Sequence, residues 1–325
     1  MLSLFRTNQV AFSILLLIYA LILRLSYFSG STPIDMANDG ILSLLIKNYL
    51  GNSTLVTGII TLFVVFVQAL LINNLANKYR LFRETTLFPG LFYILLVSCI
   101  QDFLPLSAVL LGNTFLIIAI TNLLSIFKKA KCADAIFNVG LWIGVAALFY
   151  HAFVLFLFLG LLGLIVLRSF KFKEAIMLIT GYLLPFIFAS VYFFWHNEFQ
   201  AYWQTHFFEQ FSFLDFAPSR GWNTYYKYII LGLLIVMGVF NRYTFEKSYK
   251  IRNYMNIFYT TLIICGLTFL FQENIQISHF LIIATPLSIL LAACFLAMSK
   301  TTAEFIHLFI FIAVMLFQFD VFTFH

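Results

Sequence analysis

Charged residues are scarce in this chain: Asp, Glu, Lys and Arg make up 10% of the 325 residues, whereas 62% are hydrophobic. An ordinary soluble domain is about 25% charged and about 45 to 50% apolar. A soluble core could not bury this surplus, and no polar segment is long enough for an extramembrane domain. We therefore predict an all-α, polytopic transmembrane bundle in which residues 1–325 form one membrane domain.

Motifs of metalloproteins and of several enzyme classes are also missing. The four cysteines, Cys99, Cys132, Cys265 and Cys294, show neither CxxC nor zinc-ligand spacing, so we interpret them as buried core residues. The histidines form no HxxxH, HxxHH or HExxH pattern, which argues against a di-iron oxygenase and an intramembrane metalloprotease. The chain also has no Gly-rich phosphate loop and no GxSxG segment.

What the chain has is a series of long apolar runs. A transmembrane helix needs about 20 apolar residues, and this length predicts about eleven helices. Their ranges are 9–29, 53–76, 86–101, 104–127, 134–150, 152–168, 175–195, 224–240, 253–271, 280–298 and 305–322. The weakest boundary is the turn at Tyr150 and His151. A single long tilted helix there would reverse the orientation of everything that follows.

The distribution of Lys and Arg predicts the orientation, because these residues concentrate in short cytoplasmic loops. With the N-terminus inside, only Lys47, Arg220 and Lys227 lie in outer segments, while Arg24 lies within the first helix. We therefore predict a multi-pass protein of the bacterial inner membrane with a cytoplasmic N-terminus. The net charge of +6 is explained by the inner clusters, and we expect no nucleic-acid partner.

Acidic residues and histidines lie mainly on the outer side, where we therefore expect any chemistry. They are Asp35, Asp39, Asp102, Glu198, Glu209, Asp215, Glu273 and Asp320, with His151, His196, His206, His279 and His325.

Two outer segments are long enough to carry structure of their own. In residues 30–52, apolar residues at helical spacing follow Asp39, an N-cap candidate, and predict a short helix along the membrane surface. In residues 196–223, aromatic and polar residues alternate at helical spacing and predict an amphipathic interfacial helix. That helix is either a structural aromatic belt or a platform that admits a lipid-borne substrate.

The first outer segment carries the candidate catalytic residues. Asp35 and Asp39 are four residues apart and would share one face of a helix. Such a carboxylate pair could act as a general base or hold a divalent cation, the one cofactor that the sequence suggests. In the competing interpretation Asp39 only caps the surface helix and Asp35 is a solvated loop residue.

Five further residues are candidates for substrate binding: Asp102, His196, Arg24, Arg220 and Lys227. Arg220 and Lys227 suit a lipid phosphate or pyrophosphate, with headgroup anchoring as the alternative. Asp102 lies in an outer turn, where it could equally cap the next helix. Arg24 could pair with an outer carboxylate or a lipid phosphate, or it could snorkel to the headgroups.

The order of these elements and two stretches of sequence resemble a known family. The stretches are Asn138-Val139-Gly140-Leu141-Trp142-Ile143-Gly144-Val145-Ala146-Ala147-Leu148 and Gly181-Tyr182-Leu183-Leu184-Pro185. They are similar to the middle of the GT-C glycosyltransferases, which use polyprenyl-phosphate-linked sugars. The resemblance covers residues 1–195, followed by an outer interfacial loop at 196–223 and C-terminal helices at 224–325. An uncharacterised bacterial membrane-protein family that resembles GT-C is the alternative.

The resemblance implies roles for particular residues. In that family an aspartate of the first outer loop acts on the acceptor or a metal, and here it would be Asp35 or Asp39. A later basic residue binds the lipid phosphate, and here it would be Arg220 or Lys227. The adjacent Asp-Glu pair common in that loop is absent from this chain.

Other functions remain open, among them a polymerase or ligase of lipid-linked glycans, which would also use an outer loop with arginine and histidine. A transporter or lipid flippase would use helices broken at Gly181, Pro185 and Pro286 around a midplane site. A non-enzymatic subunit of an envelope complex would use the aromatic surface helix to dock a membrane-protein partner.

Overall fold

The computed structural model describes residues 2–6, 10–29, 40–50, 53–129, 131–168, 171–203, 232, 234–239, 248–270 and 277–319. These residues form α-helices, short 3-10 helices and connecting turns, and they contain no β-strand. The predicted all-α fold is therefore confirmed.

The α-helices are numbered in chain order. The first seven, α1 to α7, are Val10–Leu23, Leu25–Ser29, Ile41–Leu50, Thr54–Lys78, Phe88–Leu96, Ala108–Ser125 and Ala133–Phe149. The next six, α8 to α13, are Leu157–Leu167, Phe172–Trp195, Phe199–Trp203, Tyr249–Thr268, Ala284–Ala297 and Lys300–Gln318. Short 3-10 helices cover Leu2–Arg6, Gln101–Phe103, His151–Phe156 and Ile277–Ile283.

Several of these helices are suited to crossing a membrane. Among the described residues, five helical stretches are long and apolar enough to span a bilayer: Thr54–Lys78, Ala108–Ser125, Phe172–Trp195, Ile277–Ala297 and Lys300–Gln318. Shorter apolar stretches at Ser13–Leu23, Ala133–Phe149 and His151–Leu167 accompany them. The protein is a polytopic helical membrane bundle.

The first predicted span, 9–29, is not one continuous helix. Helix α1 ends at Leu23 and α2 begins at Leu25, with Arg24 in a turn between them. The Arg24 amide donates to the Leu21 carbonyl at 3.2 Å, and the Tyr27 amide donates to the Arg24 carbonyl at 3.1 Å. These two hydrogen bonds join residues three apart, as in a 3-10 turn. At this turn the Arg24 side chain points into the protein instead of toward lipid.

The chain does break at Tyr150, as the sequence predicted. Helix α7 ends at Phe149, and Tyr150 has an extended backbone with φ −145° and ψ 122°. An extended residue cannot continue the helical hydrogen-bond ladder. The 3-10 helix that begins at His151 then leads into α8. Residues 134–168 therefore form two helices and not one.

Glycines bring α7 and α9 into backbone contact. A Cβ atom on Gly140 would lie 2.0 Å from the Leu178 carbonyl oxygen, and one on Gly144 would lie 2.4 Å from that of Tyr182. Such small-residue spacing lets membrane helices approach closely. Because the contacting positions rise together along both helices, α7 and α9 run parallel. The intervening segment His151–Leu167 must therefore return the chain across the bundle.

Helix α9 is continuous, contrary to the helix break that the transporter interpretation required. It extends from Phe172 to Trp195 with Pro185 inside it. Gly181 does not break it either, because this glycine packs against α7, where a Cβ would lie 2.2 Å from the Phe137 carbonyl oxygen. Pro286 lies in the first turn of α12, a position that proline tolerates without disrupting hydrogen bonds.

The core and the lipid-facing surface belong to different helices. Every residue of α5 is buried, and it packs against α1, α4 and α12. By contrast, only 22% of the membrane-spanning window of α9 is buried, and the same holds for α13. Large apolar side chains on these two helices, such as Phe188 and Phe309, are exposed from the protein and suit contact with acyl chains.

Candidate functional site

The outer end of the bundle is defined here by four segments: Gly40 with the start of α3, the turn 97–107, Tyr150 with His151, and Ile277–Ile283. The charge pattern predicts this end to lie outside. The turn 97–107 and Ile277–Ile283 meet through the 3-10 helix Gln101–Phe103. The opposite inner end contains the ends of α6 and α8 and the start of α11.

The surface helix α3 is anchored on the end of α7. The Gly40 amide donates to the Phe149 carbonyl at 2.8 Å, and the Ser43 hydroxyl donates to the same oxygen at 2.7 Å. A Cβ on Gly40 would lie 2.1 Å from the Leu148 carbonyl oxygen, so only glycine permits this approach. The helix predicted after Asp39 is therefore confirmed over Ile41–Leu50, and its first residues are fixed beside the Tyr150 turn.

A buried histidine links the Tyr150 turn to α11. His279 Nδ1 lies 2.8 Å from the Tyr150 hydroxyl, and its Nε2 lies 2.9 Å from Thr268 Oγ1. The His279 ring also meets the Phe269 ring edge to face, with centroids 4.4 Å apart. Since both ring nitrogens have partners, the orientation of this imidazole is fixed. Burial of the ring is complete.

Arg24 has its guanidinium inside the outer end. Its side chain is 2% exposed, and it donates to four acceptors. These are the Ser98 hydroxyl at 3.2 Å and the carbonyls of Val97 at 3.0 Å, Phe103 at 3.3 Å and Leu104 at 2.8 Å. Of the interpretations left open for Arg24, snorkelling to headgroups is wrong, because these internal acceptors replace water around the cation. Arg24 thus holds the turn 97–104 together.

Asp102 lies on the turn that Arg24 holds. It is half-buried in the 3-10 helix Gln101–Phe103, so the structure brings Arg24 and Asp102 to the same corner. Helix α13 ends there too: the Gln101 side-chain amide donates to the Gln318 carbonyl at 2.7 Å. In turn, the Gln318 side-chain amide donates to the Ser98 carbonyl.

His196 lies apart from this corner. It follows α9, is exposed, and has Nδ1 2.9 Å from the Tyr192 carbonyl oxygen. Gly144 faces Tyr182 and Pro185 on α9. At about 1.5 Å per residue, Phe149 rises about 7.5 Å above that level and His196 about 16 to 21 Å. On this helical rise, His196 lies beyond the Tyr150 turn.

The remaining candidates, Asp35, Asp39, Arg220 and Lys227, lie outside the described residues. Among the residues that are described, no group of three His, Cys, Asp or Glu side chains is arranged to hold a metal ion. The four cysteines are free and buried, which confirms their interpretation as core residues.

The group formed by Tyr150, Thr268 and His279 was not predicted from the sequence. A signal existed, because all three are polar residues near the predicted outer ends of different helices. Their pairing depends on how helices distant in sequence pack together, and spacing along the chain does not reveal that.

Comparisons with known proteins agree with the fold. Residues 1–324 match the model of a family described as "Family of unknown function (DUF6427)". No curated protein matches the chain. The crystal structure of ArnT from Cupriavidus metallidurans bound to undecaprenyl phosphate is similar, with a TM-score of 0.51 and 12% sequence identity. The similarity covers 92% of this chain, which spans 62% of the length of that ArnT chain.

Proposed function

Since the chain belongs to the DUF6427 family of unknown function, we propose its activity from the fold and the outer end: it is a GT-C-like glycosyltransferase. In this proposal the protein transfers a sugar from a polyprenyl-phosphate donor on the outer face of the bacterial inner membrane. The structural similarity to ArnT, a GT-C glycosyltransferase, supports a distant relation to this class. That ArnT was bound to undecaprenyl phosphate supports a lipid phosphate as the partner.

One observation carries the proposal: the anchoring of α3 at Gly40. The residue bonded to Gly40 is Asp39, the second of the two candidate catalytic carboxylates. The Gly40 amide is held by the Phe149 carbonyl, directly before Tyr150 and His151. The first outer loop thus returns to the bundle at its outer end, where a substrate carried in the outer leaflet would arrive.

The proposed reaction uses the outer carboxylates and cations in separate roles. Asp35 or Asp39 takes the proton from an acceptor hydroxyl, whose oxygen then forms a bond to the anomeric carbon of the sugar. The bond from that carbon to the polyprenyl phosphate breaks, and the phosphate leaves with the electron pair. Arg220 and Lys227 neutralise the departing phosphate, because arginine and lysine bind phosphate oxygens well. A divalent cation held by the carboxylates would also stabilise the negative charge that develops on the departing phosphate.

The described candidates take supporting roles in this proposal. Arg24 keeps the turn 97–104 in shape, and Asp102 on that turn accepts hydrogen bonds from sugar hydroxyls. His196, about two helical turns farther out, contacts the lipid-linked part of the donor near the membrane surface. The predicted topology, with the N-terminus cytoplasmic, places all of these residues on the outer side.

Catalysis can be tested with the purified full chain in lipid nanodiscs. The donor is undecaprenyl phosphate carrying a radiolabelled hexose, with bacterial envelope lipids as acceptors, and the readout is release of undecaprenyl phosphate. The double variant Asp35→Asn, Asp39→Asn should lower the rate at least about 100-fold, since general-base catalysis contributes about 10²- to 10⁴-fold. Asp215→Asn, another acid predicted on the outer side, is the matched control.

Donor binding is measured separately, by quenching of tryptophan fluorescence with undecaprenyl phosphate. Arg220→Gln with Lys227→Gln should weaken binding about tenfold, while the aspartate variants should bind as the wild type does. The proposal is overturned if the aspartate double variant retains the wild-type rate. It is equally overturned if the wild type neither binds undecaprenyl phosphate nor consumes the donor.

Transport receives less support than transferase chemistry. The helix break expected at Gly181 and Pro185 is absent, because α9 is continuous through both residues. No described feature specifically favours a non-enzymatic subunit.

A further inference from the structure

The inner end of the bundle contains an open cavity with a volume of about 650 Å³. Eight residues line it, and they include Phe127, Ile165, Tyr249 and the cations Lys128, Lys129 and Arg168. Three of these eight residues are cations and none is an acid. The cavity lies where α6 and α8 end and α11 begins, so it is separate from the outer end to which we assign catalysis.

Two of the cations have no carboxylate partner among the described residues. Arg168 forms an ion pair with Glu174 at 3.1 Å and also donates to Cys132 Sγ. Lys128 and Lys129 form no such pair in the described part of the chain. Within the described part of the chain, the positive charge of Lys128 and Lys129 at the cavity is therefore not compensated by a carboxylate.

Aromatic rings hold one of these lysines at the cavity. Lys128 Nζ lies 5.6 Å from the centroid of the Phe127 ring and 5.5 Å from that of Tyr249. The guanidinium of Arg252 lies 5.9 Å from the same Tyr249 ring, which adds a further cation at the rim. Contacts between cations and ring faces orient an ammonium group without neutralising it. The charge thus stays available to an anion.

The backbone at Lys128 is in an unusual conformation. Its φ is +53°, in the left-handed region that favours glycine and disfavours residues with a Cβ. A glycine would fit this turn after α6 better than lysine does. Backbone strain of this kind clusters at functional sites, although Arg80 after α4 has a similar φ of +49°.

We propose that the inner cavity binds a phosphate-bearing ligand through Lys128, Lys129 and Arg168, and that this ligand is the headgroup of an anionic phospholipid. Basic pockets between transmembrane helices on the cytoplasmic side suit such headgroups. The volume is within the range of about 300 to 1,000 Å³ typical of ligand sites. Ile165, exposed on the cavity wall, offers an apolar surface for the acyl chains.

The test uses native mass spectrometry of the full chain, purified in detergent and supplied with phosphatidylglycerol or phosphatidylcholine. The wild type should retain phosphatidylglycerol in preference to phosphatidylcholine. Lys128→Gln with Lys129→Gln should weaken that retention about 30-fold, because each lysine near such a headgroup contributes about fivefold. Lys78→Gln with Lys300→Gln, two cations of the predicted inner side outside the cavity, is the matched control.

A second variant separates binding from folding. Lys128→Gly removes the ammonium while suiting the left-handed backbone, so it should melt at or above the wild-type temperature and still lose phosphatidylglycerol about fivefold. Titration with inorganic pyrophosphate distinguishes the source of the ligand. If pyrophosphate binds with the same lysine dependence and phosphatidylglycerol is not preferred, a lipid source is overturned and a soluble phosphate ligand replaces it. If the double variant Lys128→Gln, Lys129→Gln binds phosphatidylglycerol and pyrophosphate as tightly as the wild type does, the proposed site is overturned.

Discussion

Arg24 at the outer end and Lys128 at the inner end are both cations, but the protein surrounds them differently. Arg24 is 2% exposed and donates to four internal acceptors, three of them backbone carbonyls. Lys128 is exposed, rests on aromatic rings and has no carboxylate partner among the described residues. The first cation has its bonding capacity used up, and the second keeps its charge available.

This difference indicates what each end is built to do. At the outer end, internal hydrogen bonds fix the turn 97–104, the start of α3 and the His279 ring in one shape. A preorganised frame of this kind suits the positioning that chemistry requires. At the inner end, a group of cations around a cavity attracts anions through long-range charge, which depends on salt. Variants at the two ends should therefore differ in both size and type of effect.

The largest effect is expected for Arg24→Met. The substitution leaves buried carbonyls of the turn 97–104 without a donor, and each unpaired buried acceptor costs about 1 to 3 kcal/mol. The free energy of unfolding should fall by about 3 kcal/mol or more, measured by denaturant titration in detergent micelles. Arg252→Met at the inner end is the matched control and should change it by less than about 0.5 kcal/mol. Equal losses in the two variants would show that the ends do not differ as described.

The next effect is expected at the anchor of α3. In Gly40→Ala, the new Cβ would lie 2.1 Å from the Leu148 carbonyl oxygen, so α3 must move away from Phe149. Overpacking of this kind costs about 1 to 3 kcal/mol. Under the proposed function, donor consumption in nanodiscs should fall with it, because Asp39 is bonded to Gly40.

Gly266→Ala provides the control for Gly40→Ala. A Cβ at Gly266 meets nothing within 4 Å, and this residue lies inside α11. Alanine should raise the stability there by up to about 1 kcal/mol through its higher helix propensity. If Gly40→Ala has the same melting temperature and the same rate of donor consumption as Gly266→Ala, α3 does not need its tight contact with α7.

A smaller effect is expected for Tyr150→Phe. Loss of the hydroxyl leaves His279 Nδ1 without its 2.8 Å partner, and a hydrogen bond of this kind contributes about 0.5 to 1.5 kcal/mol. Thermal unfolding in detergent should show a decrease of that size. Tyr249→Phe, an exposed tyrosine of the inner end, should leave the melting temperature unchanged. A neutral Tyr150→Phe would mean that packing and the Thr268 hydroxyl hold the His279 ring without the Tyr150 hydroxyl.

The sequence predicted the helical elements far better than the contacts among them. The apolar runs and the turn at Tyr150 were enough to predict the helices. A membrane span has a required length, and each helix forms the hydrogen bonds of its own backbone groups. The surface helix α3 was predicted from local spacing for the same reason. Helix ends were less accurate: the span predicted at 86–101 is α-helical only over Phe88–Leu96.

The environment of Arg24 could not be predicted in the same way. Its acceptors lie more than 70 residues away in sequence, on the turn 97–104, so their proximity depends on how α1 packs against that turn. The cavity around Lys128 could not be predicted from the sequence for a similar reason. The sequence showed a basic cluster and explained it by orientation in the membrane, whereas the cavity requires α6, α8 and α11 to converge.

The smallest effect is expected for the ion pair between Arg6 and Glu84, predicted on the inner side. The two side chains lie 3.7 Å apart, and that of Glu84 is 67% exposed. Water and salt screen such a pair, so Glu84→Gln should change the free energy of unfolding by about 0.5 kcal/mol or less at moderate salt. Glu174→Gln should cost more, because its partner Arg168 lies at 3.1 Å and that pair is mostly buried. Denaturant titrations of both variants at low and high salt provide the comparison. If Glu84→Gln proved the more damaging of the two, charge pairing at the exposed rim, rather than burial, would determine stability at the inner end.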